Sequence, residues 1–201
     1  MIRKLLILLI INVMLVGNLH AAYILIPMDE TQSNHLKAYG VAYWVLEREV
    51  EISWLLNYKG GSYLIPYHEM FERECKLRNV SYQVIADVQA EAILAEIADP
   101  QANMDEMKLQ KVPRLAVYAP KNILPWDDAV TLVLTYAEIP YDLIYDDEVL
   151  DGVLPTYDWL HMHHEDFTGQ FGKFWARYRN YPWYRNDVEE QKKIAERHGF
   201  S

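Results

Sequence analysis

After residue 22 the chain alternates short apolar runs with stretches of helical spacing, and this alternation restricts the fold more than any other feature. Residues 23–27 (Tyr-Ile-Leu-Ile-Pro) suit a buried strand. Over 35–50, Leu36, Tyr39, Gly40, Tyr43 and Leu46 share one helical face. Ala38, Val41, Ala42 and Val45 leave little polar surface elsewhere, which predicts a helix buried on most sides. Strands follow at 52–56, 63–65 and 82–85, with a helix near 68–78. Asp87 is placed to cap a helix with Ala90, Ile93, Leu94 and Ile97 on one face, and Asp99 with Pro100 stops it. Residues 100–112 are polar, lack a clear period and mark the best internal boundary.

The second half repeats the pattern: a strand at 115–119, a helix from 125 to about 137, and strands at 141–145 and 157–162. Strands alternating with helices imply crossover connections. The expectation is therefore an α/β chain with a three-layer, Rossmann-like or flavodoxin-like, mostly parallel sheet and helices on both faces. A helix over 185–198 closes at Gly199, where such a sheet calls for another strand, so the chain is read as truncated at the C-terminus.

Residues 1–21 read as a cleaved signal peptide. Arg3 and Lys4 precede an apolar run at 5–11, and Ala21 with Ala22 offers a cleavage site. The rival is an uncleaved anchor, but Asn12 and Gly17 interrupt a run already short of the roughly 20 residues a span needs. Cleavage places the protein in the periplasm or cell envelope without a transmembrane span, as two α/β halves at 22–111 and 112–201.

Charge narrows the partners. The 19 basic and 29 acidic side chains give a net charge of −10, and losing Arg3 and Lys4 leaves 17 basic against 29 acidic, a net of −12. Such a surface repels phosphate backbones, and no basic patch with interleaved aromatics stands out against it, which excludes nucleic acid. A small molecule or an envelope protein remains as the partner class, and no cofactor is indicated. The sole cysteine, Cys75, forms no internal disulfide. It lies one helical turn after Phe71, which predicts a core thiol rather than a nucleophile.

Two segments carry candidate chemistry. His161, His163, His164, Glu165 and Asp166, with Gly169 behind them, follow the strand at 157–162, at the end where open α/β sheets place their ligands. In extended backbone His161 and His163 point the same way and are candidate metal ligands. The bland alternative is a hydrogen-bonded polar loop. Lys59, Gly60 and Gly61 are candidates for an anion-binding nest, with a tight turn as the alternative. The acidic residues Asp127, Asp128, Asp142, Asp146, Asp147, Glu148 and Asp151 read as helix caps and solvated loop. The helical spacing of Phe171, Phe174, Trp175 and Tyr178 reads as packing. No Gly-x-Ser-x-Gly, P-loop or Gly-x-Gly-x-x-Gly motif is present.

Residues 36–47, 54–66, 125–150 and 157–174 resemble a family of exported bacterial proteins commonly labelled asparagine synthetase B. Neither hallmark of true asparagine synthetases, an N-terminal catalytic cysteine or a Ser-Gly-Gly-x-Asp-Ser loop, occurs in this chain. The second half is also similar to the class I glutamine amidotransferase-like fold, in which residues 161–169 would take the oxyanion-loop position. That resemblance implies the incomplete N-terminal part of an exported amidotransferase-like protein, without the nucleophile. The alternatives are a non-catalytic ligand-binding or assembly module of the envelope, and a metal-dependent hydrolase built on His161 and His163.

Overall fold

Strand β1 (Ala21–Ile26) lies inside a five-stranded sheet, and its alternation divides the first core in two. The computed structural model describes residues 21–119, 128–162 and 171–200, which form two units divided between Val112 and Pro113. In the first unit β1 is followed by α1 (His35–Leu46), β2 (Ile52–Leu56), β3 (Ser62–Pro66), α2 (Glu69–Leu77), β4 (Gln83–Ala86), α3 (Asp87–Ile97) and β5 (Asp105–Leu109). Ile24 and Ile26 point to one face, where Ile52, Tyr63 and Ile65 meet α1 and α2. Leu25 points to the other face and packs with Leu55, Leu64 and, from α3, Ala90 and Ile97.

The sheet order is β4-β1-β3-β2-β5, and all four pairings are antiparallel. The mostly parallel, Rossmann-like or flavodoxin-like sheet expected from the alternation is therefore wrong. The crossover helices do make β1 run parallel to β2, and β3 parallel to β4. A tight connection at Tyr58–Gly60 folds β2 back on β3, however, and β3 inserts beside β1, so neither parallel pair is adjacent. This is the split βαβ, ferredoxin-like connectivity, here extended by α3 and β5 on the opposite edge. Residues 100–112 also hold more than a boundary. The polar segment Asp105–Leu109 is an edge strand on β2, where charged side chains guard an exposed edge.

Two local devices fix this unit. Gly60 has φ +78°, and a Cβ there would lie 2.4 Å from the Met28 carbonyl oxygen. The close approach is sealed by the Met28 N–H donating to Lys59 O at 2.9 Å. Gln32, 6 % exposed, uses its whole amide. Nε2 donates to Pro27 O (2.7 Å) and Ser81 O (3.1 Å), while Oε1 accepts from Ser81 N (2.8 Å) and Asn34 N (3.2 Å). One side chain thus ties the segment after β1 to the segment before β4.

Cys75 is fully buried alongside Phe71, as their spacing predicts, and burial pushes its thiol up to about 12. Asp87 differs from its expected role. It occupies the first turn of α3, while the Gln89 side chain accepts the Ala86 N–H at 3.0 Å.

The second unit is a different structure. It contains β6 (Leu115–Tyr118), α4 (Ala129–Ala137), β7 (Asp142–Ile144), α5 (Asp146–Leu150), β8 (Trp159–Met162), α6 (Phe171–Tyr178) and α7 (Pro182–Arg197). Its sheet is small and parallel, ordered β7-β6-β8. Leu115, Val117 and Ala119 pack against Leu134 and Val130 of α4 on one face. The acidic stretch expected to be loop contains α5. Acidic residues occupy its first turn, where the positive end of the helix dipole favours them.

Candidate functional site at the ends of β6 and β8

With β6 central, the chain passes to β7 on one side and reaches β8 on the other, so the β6–β8 edge is a topological switch point. Open parallel sheets gather ligands in the crevice at the C-terminal ends of such strands. Of the residues expected there, His161 is in place on β8, while His163, His164, Glu165, Asp166 and Gly169 lie outside the described residues.

On the α4 face, His161 Nε2 lies 3.2 Å from Asp128 Oδ1. Asp128 is the N-cap of α4, and the same oxygen accepts the N–H groups of Val130 (2.7 Å) and Thr131 (3.1 Å). Burial pushes the Asp128 carboxyl up, but the Thr131 and Val130 N–H groups and His161 outweigh it and leave it below the usual carboxylate range. A carboxylate can only accept, so Nε2–H donates to it and the imidazole is held in one orientation.

The carboxyl is depressed in the folded state, so its stabilisation is present above the unfolded pKa and is lost as pH falls through the folded one. Asp128→Ala is expected to cost about 1–2 kcal/mol at pH 7. Asp128→Asn, which keeps the cap but not the charge, should cost less. Thermal melts at pH 7 and in strong acid check this. The gap between parent and alanine variant should narrow in acid, and a gap independent of pH would show that the charge contributes nothing.

On the opposite face a pocket of about 470 Å³ opens between the sheet and α5 and α7. Leu160 and Met162 of β8, Val149 and Leu150 of α5, Leu154, and Ile194 of α7 make it largely apolar. Tyr118, Asp146 and Gln191 supply its polar groups, with the Tyr118 hydroxyl donating to the Asp146 carboxylate. Asp147 clamps the walls together by accepting from Arg197 Nη2 (2.6 Å to Oδ2) and from His198 Nε2 (3.2 Å to Oδ1). Sequence reasoning missed this pocket. Its only signal was Val149, Leu150 and Leu154, apolar residues inside a stretch that reads as acidic loop.

The other sequence candidates are placed as follows. At Lys59, Gly60 and Gly61 the backbone serves the turn itself: Gly61 N–H donates to Tyr58 O (3.0 Å), and Gly61 O accepts Trp54 Nε1–H (3.0 Å). Among the described residues no group of three or more His, Cys, Asp or Glu side chains could hold a metal ion. Nor is any described helix long and apolar enough to cross a membrane. No family model matches the chain, and no curated protein or solved structure matches it.

Proposed function

We propose that this is an exported protein whose second unit binds a small molecule at the C-terminal ends of β6 and β8. The pocket beside the switch point carries the reading. Its volume lies within the range of small-molecule sites, and it combines apolar walls with a few polar groups, as such sites do. The Asp146 carboxylate selects a hydrogen-bond-donating or cationic head, so the ligand class is a small amphiphile: an apolar body bearing an amine.

Binding rather than turnover is the function the residues support. Cys75 belongs to the first unit and is buried with a strongly raised pKa, which disqualifies it as a nucleophile. The amidotransferase-like relationship is kept as a second reading. The central position of β6 between β7 and β8 supports it, since that fold begins with the same strand and helix sequence. In that reading the Asp128–His161 pair orients a base beside the crevice.

Thermal shift against simple amines such as hexylamine and phenethylamine tests the proposal. A ligand at about 100 times its Kd stabilises by roughly 2.7 kcal/mol, which raises the melting point of a unit this small by many degrees. Leu154→Trp, which fills the rim of the pocket, should abolish the shift, and Asp146→Asn should weaken it about tenfold or more. Equal shifts in parent and Leu154→Trp would place binding elsewhere.

A further inference from the structure

Residues 171–186 reverse the charge of the rest of the chain. They hold four basic side chains, Lys173, Arg177, Arg179 and Arg185, and no acidic one. The chain-wide excess of acid conceals this reversal. The segment forms α6, a turn and the start of α7, and all four basic residues are exposed. Among the described residues no carboxylate pairs with any of them.

Of the aromatic residues expected to pack, Trp175 instead stands at the surface, while the side chains of Phe171 and Phe174 lie outside the described residues. Trp175 is 50 % exposed, Tyr181 51 % and Trp183 46 %. Tyr181 and Trp183 form a joined cluster with Tyr178, whose ring lies 5.7 Å from Tyr181 and 5.3 Å from Trp183. The guanidinium groups of Arg179 and Arg177 sit over Trp175 and Tyr178, 4.6 Å and 5.2 Å from the ring centroids. Half-exposed rings and cations thus occupy the same surface layer.

We propose that this helical corner is a docking surface for an anionic lipid bilayer. Trp and Tyr have one apolar and one polar end and settle at the level of lipid headgroups, while the stacked Arg side chains reach the phosphates. The charge is complementary, and each basic residue near such a surface strengthens binding by a similar increment. Charges beyond a Debye length of about 8 Å are screened at physiological ionic strength, so the opposition to approach comes from near neighbours such as Asp187, two residues past Arg185, and not from the acidic chain as a whole. A sugar would use the rings but has no need of four cations. A nucleic acid would meet an otherwise acidic molecule.

Co-sedimentation of the full chain tests the proposal, using phosphatidylcholine vesicles with about one third phosphatidylglycerol. Two variants are compared with the parent: Arg177→Gln with Arg179→Gln, and Trp175→Ala with Trp183→Ala. All three share the apolar N-terminal segment, so differences among them report on the corner alone. Circular dichroism confirms that each is folded, and the arginine pair, fully at the surface, keeps the test open if the tryptophan pair fails to fold. Each folded variant should bind the anionic vesicles on the order of tenfold or more weakly than the parent. For the arginine pair the difference should shrink at high salt and vanish on pure phosphatidylcholine. Variants that bind as tightly as the parent would overturn the proposal. It would equally be overturned if the arginine pair lost binding only to a soluble polyanion such as polyglutamate, which would mark an acidic protein as the partner.

Discussion

Gly60→Ala is expected to destabilise the first unit by about 3 kcal/mol or more. Two effects add. A side chain at φ +78° carries strain on the order of 1–2 kcal/mol. The new Cβ would also meet the Met28 carbonyl oxygen at 2.4 Å and Asp29 N at 2.8 Å, and both are backbone atoms that cannot rotate away. Relief requires parting the turn from the end of β1 and breaking the Met28 N–H to Lys59 O bond. Gly152 is the control: it has φ +81° with nothing within 4 Å of a Cβ, so Gly152→Ala carries only the strain. Urea unfolding followed by circular dichroism reads both. A Gly60→Ala cost no larger than that of Gly152→Ala would mean that the turn does not press on Met28.

Gln32→Ala should cost a similar amount, about 3 kcal/mol, with only one methylene of apolar area at stake. The substitution removes partners from Ser81 N and from the Pro27 and Ser81 carbonyls at a site only 6 % exposed, and each buried unpaired group costs about 1–3 kcal/mol where water cannot replace the amide. Gln32→Glu is the sharper variant. It keeps the shape but turns an acceptor toward two carbonyl oxygens, raising the folded pKa of the new carboxyl. Its deficit should therefore be full at neutral pH and should diminish as pH falls and the protonated acid regains a donor. Amide exchange at Ser81 gives a local readout, with protection lost in Gln32→Ala and kept in Gln32→Glu, whose carboxyl oxygen still accepts the Ser81 N–H. Retained protection in Gln32→Ala would show that the side chain is not what pairs the Ser81 N–H.

Most elements were legible from their apolar runs and spacing, although α1 buries Ala38, Val41, Ala42 and Val45 and leaves Tyr39, on the face the spacing singles out, exposed. The strand at Ile52–Leu56 and the helix His35–Leu46 stand close to where pattern alone puts them. The direction of the strands was not legible in the same way. Alternating strands and helices fix that β1 and β2 run the same way, but not whether another strand lies between them. The clue was that the few residues between 56 and 62 leave no room for a crossover α-helix, since so short a connection joins strands only as a hairpin. The edge strand Asp105–Leu109 escaped because an edge guarded by charge has the composition of a loop.

The site divides along similar lines. His161 was singled out for its place after a strand, but its partner Asp128 comes from a helix cap 33 residues earlier, and spacing cannot pair them. The pocket residues Tyr118, Leu154 and Ile194 come from three separate segments, each unremarkable by itself. Trp175 shows the opposite failure. Its helical spacing suggested burial, yet periodicity identifies a face without saying whether anything covers it.

The ligand site itself is tested most directly by methyl-resolved NMR of the full chain titrated with phenethylamine. Saturable shifts are expected at the methyl groups of Leu160, Met162, Val149 and Ile194, which line the pocket, while Ile24, Leu64 and Ile65 in the first unit stay still. In Asp146→Asn the same methyls should move, but only at amine concentrations about tenfold or more higher. Shifts that fail to saturate, or that appear in the first unit and leave Met162 and Ile194 unmoved, would contradict the assignment of this pocket as the binding site.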